Sequence, residues 1–291
     1  MKNSIIRTLI FRTRDRLLPK NVGEDSWAYI GKCIKSGKPF MAGRLGAVEI
    51  KAVLYAKYPF LAPFLKRYVQ TNLHRNAGFF PVSKESLRQF ATLMITDMQH
   101  VDILFSWRPE EFFLKKELQN AYKASFSDTN IHPENEAFWT KYLKEKKVLV
   151  IHPFASTIEK QYRENRSKLF PRTDFIPEFS SLTTIKAIQS IAGHQAGYKT
   201  WFDALDYMKR EIEKVDFDIA LIGCGAYGFP LAAHVKRMGK QAIHLGGVLQ
   251  LYFGIKGKRW NHWGIYNEFW VSPSPEEIPQ GAEQVENGCY W

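Results

Sequence analysis

A glycine-rich loop between two apolar runs is the strongest chemical signal in the sequence. Residues 218–222 have the pattern of a buried strand, and Gly223-Cys224-Gly225-Ala226-Tyr227-Gly228 follows them directly, ahead of a helical pattern at 229–238. Glycines permit a tight turn and a close backbone approach, and the start of a helix offers free N–H groups to phosphate. This order predicts a phosphate-bearing nucleotide on the loop. Glycines that serve only tight strand–helix packing are the alternative.

The loop differs from a dinucleotide site. Such sites usually have an acidic residue about 20 positions beyond the loop, where it binds the ribose hydroxyls. No Asp or Glu occurs between Asp218 and Glu268. A nucleotide other than NAD is therefore expected.

Further glycines and cations follow the next predicted strand. His244, Gly246 and Gly247 stand at its carboxyl end, where open α/β sheets bind ligands. His244 is predicted to reach a phosphate or a sugar hydroxyl, or else to make a structural hydrogen bond. Lys256 and Arg259 are predicted to neutralise a diphosphate, with a solvated basic face as the alternative.

A second strand–glycine–helix transition occurs early in the chain, at 40–49. Arg44 and Glu49 lie on either side of Gly46, close to the predicted turn. An arginine and a carboxylate at such a turn can form an ion pair that holds it. The same pair can instead present the carboxylate to a sugar, a metal or an acceptor hydroxyl, which makes Glu49 and Arg44 the candidate catalytic residues.

The strand predicted at 148–152 also leads into a helix. Ser156-Thr157-Ile158-Glu159 has the pattern of a capping box. Ser156 and Thr157 are expected either to cap this helix or to bind the nucleotide, because a helix N-terminus also accepts an oxyanion. Lys160 and Arg163 would add positive charge there.

Three of these segments together resemble glycosyltransferases of the GT-D fold type, which are related to a domain of bacterial polysaccharide and glycoprotein gene clusters. The likeness lies in Arg44-x-Gly46-x-x-Glu49, in 222–228 and in His244-Leu245-Gly246-Gly247. The resemblance implies transfer of a sugar from a nucleotide diphosphate donor, above all a UDP-sugar. The acceptor it implies is a saccharide or a lipid-linked or protein-linked glycan.

The same resemblance bears on metal binding and on the base. The founding members of that type have an Asp where this chain has Ala47, and that Asp acts with the following Glu in donor and metal binding. Glu49 alone is kept, so the use of Mn²⁺ or Mg²⁺ is an open question. Glu49 is the first candidate for the base. Other candidates are Glu178, Asp203 and Asp206.

The composition limits the partners. Lys and Arg number 41 against 29 acids, which gives a net charge of +12 and suits phosphate-rich ligands, nucleic acid or an anionic membrane. The basic residues are spread along the chain without a recognisable nucleic-acid module, so no nucleic acid is expected. Three scattered cysteines and no long apolar run predict a cytoplasmic protein without a transmembrane helix.

Apolar runs that alternate with helical patterns predict an α/β fold, with a doubly wound, mostly parallel Rossmann-like sheet and helices on both faces. The predicted strands are 39–42, 101–106, 148–152, 219–222 and 242–245. The predicted helices are 156–169, 183–191 (with Ile185, Ile188 and Ile191 on one face), 201–214 and 229–238.

One catalytic domain is expected at 21–270, after a basic amphipathic helix (1–20) and before a tail (271–291) whose composition is typical of poor order. The helix, centred on 4–18, is predicted to pack on the domain or to contact the inner face of a membrane. The aromatic segment 259–270 is predicted to be core, with sugar contact as the alternative.

Two other functions stay open on the residues alone. A Rossmann-type methyltransferase or reductase of saccharides would also use the glycine loop, although the missing acidic residue counts against it. A basic nucleic-acid-binding protein without catalysis would instead use the positive charge, and its binding would weaken steeply with salt.

Overall fold

Short apolar runs form the strands of one sheet because both faces of that sheet are covered. The computed structural model describes residues 23–191 and 196–291. Its strands are β1 (Phe40–Gly43), β2 (Ile103–Ser106), β3 (Tyr122–Ser125), β4 (Lys147–His152), β5 (Ser181–Lys186), β6 (Ile219–Ile222) and β7 (Gln241–His244). They lie in the order β3-β2-β1-β7-β6-β4-β5, and all neighbours are parallel.

Helices cover both faces of this sheet. They are α1 (Glu24–Ser36), α2 (Ala47–Lys57), α3 (Ala62–Arg75), α4 (Lys84–Met98), α5 (Ala155–Asn165), α6 (Trp201–Glu213), α7 (Gly228–Arg237) and the short α8 (Leu249–Tyr252). The buried residues of α2, α3, α4, α6 and α7 share one core cluster, and those of α1, α5 and α8 share another. The predicted α/β fold is therefore confirmed.

Short 3-10 helices lie in several of the connections between these elements and in the chain after α8. They are Pro109–Leu114, Phe126–Thr129, Trp139–Leu143, Arg166–Lys168, Gly225–Tyr227, Gly246–Val248, Lys258–Trp263, Pro275–Glu277, Ala282–Gln284 and Glu286–Gly288.

Side chains of each strand alternate between the two clusters. In β1, Met41 belongs to the first cluster, whereas Phe40 and Ala42 belong to the second. In β6, Ile222 packs in the first cluster and Leu221 in the second. This period of two fixes the register, because a slip of one residue would exchange the faces.

One predicted helix was wrong. Residues 181–186 form strand β5, which pairs with β4 from Lys147↔Ser181 to His152↔Lys186. The run Thr183-Thr184-Ile185 is β-branched, which lowers helix propensity and favours a pleated surface. Pairing with β4 therefore outweighs the helical spacing of Ile185, Ile188 and Ile191.

The two ends of the chain differ in what the structure describes. The helix predicted at 4–18 lies outside the described residues. The C-terminal segment (residues 271–291) does not have the poor order that its composition suggested, since Glu277, Ala282 and Val285 are buried. Within 23–191 and 196–291, no helix combines the length and the apolar character needed to cross a membrane.

Candidate active site

A cavity lies over the carboxyl ends of the four central strands. After β1 and β6 the chain continues into α2 and α7, which lie in one helical layer. After β4 and β7 it continues into α5 and α8, which lie in the other. Loops that part in this way open a crevice, which is where open α/β sheets bind ligands. The empty volume of the cavity together with its open mouth is about 740 Å³.

The lining of this cavity joins several residues that the sequence analysis selected. Those that line it are Arg44, Gly223, Gly225, Tyr227, Gly246 and Gly247. Those that do not are Gly46, Glu49, Ser156, Gly228, His244, Lys256 and Arg259. The structure thus brings the two glycine loops and Arg44 to one place and positions the other residues around them.

Arg44 lies at the floor of the cavity. Its guanidinium carbon is 5.4 Å from the ring centre of Phe126 and 5.8 Å from that of Trp107. Those two rings stack on each other, with centroids 5.0 Å apart. The buried Nε of Arg44 has no hydrogen-bond acceptor, and no ion pair forms between Arg44 and any described residue, Glu49 included. The predicted turn-holding ion pair is therefore not made.

The loops after β6 and β7 contact each other closely. A Cβ added at Gly223 would be 2.7 Å from the carbonyl oxygen of Gly246 and 2.7 Å from Cδ2 of His152. Gly246 has φ +70°, and a Cβ there would be 2.7 Å from Nε of Arg44. A side chain at either position would separate the loops or displace the guanidinium, so both glycines are needed for this geometry.

Tyr227 closes one side of the glycine loop. Its ring stacks on Trp201 with centroids 4.8 Å apart, and its hydroxyl is 2.6 Å from Oγ of Ser190. Ser190 in turn donates to the carbonyl oxygen of Gly78 at 2.6 Å, so Tyr227 is the donor to Ser190. Burial raises the pKa of the phenol, which keeps that proton in place.

Two buried histidines flank the loops in different roles. His152 lines the cavity, and its Nδ1 accepts the N–H of Phe154 at 3.0 Å, so its proton is on Nε2. His244 lies behind the lining, with Nδ1 3.2 Å from the carbonyl oxygen of Ile222, and a Cβ at Gly228 would overlap its ring. Burial lowers the pKa of each imidazole to about 3, so both are neutral.

Glu49 folds back onto the N-terminus of α2. A Cβ at Gly46 would overlap its carboxylate, so glycine at 46 permits this conformation. Burial raises the pKa of Glu49, although hydrogen bonds from the N–H groups of Glu49 and Val48 and the charge of Arg44 act in the opposite direction. Glu286 in the C-terminal segment raises it further. The pKa of the Glu49 carboxyl therefore depends on the charges of both Arg44 and Glu286.

The predicted capping box at 156–159 is not formed. Helix α5 begins at Ala155 after Phe154, and no side chain caps it. The N–H of Ser156 instead donates to the Glu277 carboxylate at 2.8 Å, its hydroxyl donates at 2.6 Å, and the hydroxyl of Thr157 donates to the other carboxylate oxygen. The helix N-terminus does accept an oxyanion, and that oxyanion belongs to Glu277.

Arg259 holds the far end of the C-terminal segment against the cavity. It forms an ion pair with Glu286, and its Nη1 donates to the hydroxyl of Tyr290 at 3.1 Å. A Cβ at Gly247 would overlap the Tyr290 ring, which lines the cavity with Trp291. Lys256 interacts through its backbone, since its N–H donates to Val271 and its carbonyl accepts from Gln250.

The other candidate bases, like Glu49, do not line the cavity. Glu178 is exposed just before β5, at the amino edge of the sheet. Asp203 closes a capping box with Thr200 at the start of α6, and Asp206 pairs with Lys209 at 2.9 Å. Lys160 and Arg163 are exposed on α5.

The aromatic segment 259–270 contributes mainly to the core. Trp260 and Trp270 are buried in the second cluster, and Nε1 of Trp270 donates to the carbonyl oxygen of Leu169 at 3.0 Å. Neither tryptophan lines the cavity.

Several lining residues carry no sequence signal of their own. They are Asn76, His152, Gln189, Ser190, Gln250, Tyr290 and Trp291. Of these, only His152 was noted in the sequence, as part of a strand end. The aromatic pair that closes the chain could have been suspected, since exposed tail residues are rarely Tyr-Trp.

The donor groups near the cavity do not suit a protein-held divalent metal. Among the residues described, no three His, Cys, Asp or Glu side chains gather closely enough to hold one. Ala47 has no oxygen to offer, and the Glu49 carboxylate accepts from its own helix. His152 uses Nδ1 as an acceptor and presents N–H at its other nitrogen.

One family model and several solved structures match this chain. A family model described as a GT-D fold-like domain matches residues 27–252. A solved domain of unknown function 1792, described as having a distinct glycosyltransferase fold, is 16% identical with a TM-score of 0.44 and covers 86% of this chain and 91% of its own. A structure described as a new glycosyltransferase of that domain family, from Streptococcus sanguinis, is 13% identical with a TM-score of 0.40 and covers 88% and 96%.

The family model decides the assignment. Both TM-scores are below 0.5, so neither structure carries it, and the curated proteins give no significant match. The family model spans well over half of the chain, from α1 to the end of α8. The chain therefore belongs to the GT-D-like family and is a glycosyltransferase of the GT-D fold type.

Proposed function

We propose that this chain transfers a sugar from a nucleotide diphosphate donor, in the first instance a UDP-sugar, to a saccharide or a lipid-linked or protein-linked glycan acceptor during surface glycan assembly. Family membership supports the glycosyltransferase class. The donor and acceptor are proposed from the cavity. The observation that carries the proposal is the Arg44 guanidinium, which lies beside two glycine loops and forms no ion pair with any residue of 23–191 or 196–291.

Arg44 is suited to an anionic ligand. A guanidinium offers five N–H donors in a planar fork that matches phosphate oxygens. A half-buried cation without a carboxylate or a hydrogen-bond acceptor is costly unless a ligand supplies one. The Phe126 and Trp107 rings attract the guanidinium without accepting a hydrogen bond from its N–H groups in the ring plane, so these donors are proposed to bind a diphosphate.

The glycine loops supply the rest of the diphosphate site. Gly223, Gly225 and Gly246 let the backbone approach a ligand closely, and no side chain caps α7 where it begins. The N–H of Gly228 donates to the carbonyl oxygen of Gly225, so α7 continues the turn Gly225–Tyr227, and the positive end of its dipole favours phosphate at that turn. His152 faces the same cavity with an N–H at Nε2 and can donate to the donor sugar or phosphate.

Two groups are proposed for the chemical step. As the bond from the anomeric carbon to the diphosphate oxygen breaks, negative charge grows on that oxygen, and Arg44 stabilises it. Glu49 takes the proton of the acceptor hydroxyl. Burial raises the pKa of Glu49, which makes the carboxylate a stronger base than an exposed one. No step is assigned to a metal, because the donor groups described above do not fit one.

Ligand-induced stabilisation tests this proposal. The protein is melted with UDP, GDP, CMP, UDP-sugars, NAD(H) and S-adenosylmethionine, each with and without Mn²⁺. A ligand at about 100 times its dissociation constant adds roughly 2.7 kcal/mol. Stabilisation by a nucleoside diphosphate or its sugar is expected, and stabilisation only by NAD(H) or S-adenosylmethionine would refute the donor class.

Arg44→Gln makes the test specific to the site. Loss of a charged hydrogen-bond donor is worth about 1.5–3 kcal/mol, so donor affinity should fall by about 10-fold to 150-fold. Arg88→Gln is the control, since Arg88 is exposed on α4 and has no hydrogen bond or ion pair with a described residue. Equal affinities for the two variants would remove Arg44 from the donor site.

A further inference from the structure

Four phenylalanines are exposed at one place on the surface, away from the cavity. The exposed fractions are 64% for Phe60, 83% for Phe64, 51% for Phe112 and 44% for Phe113. Exposed side chains of this size are costly in water, and contiguous ones mark an interaction surface. They are called here the phenylalanine patch.

Tyr58 joins the two chain segments that form this patch. Its ring is 5.7 Å from that of Phe60 and 6.2 Å from that of Phe113, and its hydroxyl donates to the Phe113 carbonyl at 2.9 Å. Phe112 and Phe113 are 6.0 Å apart, and Phe64 lies on the first turn of α3. The tip of the α2–α3 hairpin and the 3-10 turn Pro109–Leu114 thus form one surface.

The charges around the patch are of one sign. Among residues 57–67 and 109–117, the exposed charged residues are Lys66, Arg67, Lys115 and Lys116. The acids of these segments are not free to oppose them. Glu110 pairs with Arg108 and Lys51, Glu117 pairs with Lys57, and Glu111 is buried and accepts from Ser106.

We propose that the phenylalanine patch docks on the surface of an anionic lipid bilayer. Aromatic rings favour the boundary between headgroups and acyl chains, and Lys and Arg beside them attract anionic headgroups. A face with exposed rings and only cations matches both layers of such a surface. A second copy of this chain would bring the same cations together, which electrostatics disfavours.

The patch is joined to the cavity by one rigid helix. Helix α2 runs from near Glu49 to Lys57, and eight residues of α-helix span about 12 Å. The docking itself does not depend on the transferase activity and can be measured without a donor.

Vesicle sedimentation with the full chain tests the proposal. The vesicles are phosphatidylcholine with phosphatidylglycerol, or phosphatidylcholine alone. We expect binding to the anionic vesicles, loss of at least tenfold in Phe60→Ser/Phe64→Ser, and a comparable loss in Lys66→Gln/Arg67→Gln. Lys32→Gln/Lys35→Gln removes the same charge from exposed positions of α1, in the opposite helical layer, and should bind like the unaltered chain.

Three results would overturn the proposal. They are no binding by the unaltered chain, equal binding by the phenylalanine variant, and equal losses in the α1 control. Light scattering tests whether a second copy of the chain covers the patch instead. A dimer that dissociates in Phe60→Ser/Phe64→Ser would make the patch a contact between copies. Unchanged melting temperatures of the variants show that losses are not due to unfolding.

Discussion

Glu277 is the buried anion that joins the C-terminal segment to the N-terminus of α5. It is 1% exposed and accepts from the backbone and the hydroxyl of Ser156 and from the hydroxyl of Thr157. Glu277→Gln removes the charge and keeps one acceptor oxygen. It also replaces the other oxygen by an NH₂ group, which cannot accept the hydrogen bond that a Ser156 or Thr157 hydroxyl donates to Glu277. Hydrogen bonds to a charged group contribute about 1.5–3 kcal/mol each, and a charge at a helix N-terminus up to about 2.

The expected loss is therefore about 2–4 kcal/mol in the free energy of unfolding, measured by urea denaturation at pH 7. For a chain near this size, 1 kcal/mol moves the melting temperature by about 2–4 °C, so the variant should melt roughly 4–16 °C lower. Glu276→Gln is the matched control. Glu276 is the exposed neighbour of Glu277, so its substitution should change stability by less than about 0.5 kcal/mol.

Equal stability of the two variants would refute the reasoning, since it would mean that Glu277 does not hold the segment. Hydrogen exchange gives a second reading. Amides of 275–291 should exchange faster in Glu277→Gln, whereas amides of the central strands should not.

The remaining predictions concern the cavity and its supports. Glu49→Gln should lower kcat at least 100-fold with a small change in donor affinity, because a general base acts in the transition state. Donor affinity is measured by calorimetry, and a loss confined to that affinity would make Glu49 a donor ligand. Gly225→Val should abolish donor binding in the same titration, because Gly225 has φ +56° and a β-branched residue does not adopt that conformation without moving the loop. The fold should persist, because the space around a Cβ at this position is open, and unchanged affinity would remove the loop from the site. His244 has a folded pKa of about 3, lowered by burial, against about 6.5 unfolded, so the stability it contributes is complete above pH 6.5 and falls as pH drops toward 3. At pH 5 the cost is about 2 kcal/mol, so His244→Asn should remove about that much of the fall in urea-derived stability between pH 7 and 5, while the part that His152 contributes stays. An unchanged fall would contradict the buried neutral imidazole of His244.

The central strands could be predicted from the sequence, and the two edge strands could not. The buried runs at β1, β2, β4, β6 and β7 were placed within two residues of their observed ends. Strands β3 and β5 are half-exposed, so their polar and β-branched residues make no continuous apolar run. Their strand character comes from pairing with β2 and β4, which a local pattern does not contain.

The chemistry of the cavity was predictable where it depends on loops at strand ends. The two glycine loops and Arg44 were selected, and they do line one cavity. Their roles toward a ligand stay predictions. The environment of Arg44 could not be foreseen, because Trp107 and Phe126 are 63 and more residues away along the chain and reach it only through the fold. The same holds for Glu277, which takes the helix N-terminus that Ser156 was expected to offer to a nucleotide.

The wall of the cavity has two origins along the chain. Arg44 and both glycine loops lie within residues 27–252, the part that the family model describes, whereas Val285, Tyr290 and Trp291 lie beyond it. These outer side chains reach the cavity through a small number of polar anchors, chiefly Glu277 and Glu286. The C-terminal segment thus forms one wall of a cavity whose other walls belong to the family domain. Grafting a different segment onto the same anchors is a direct way to alter which molecules enter, while Arg44 and the two glycine loops are left unchanged.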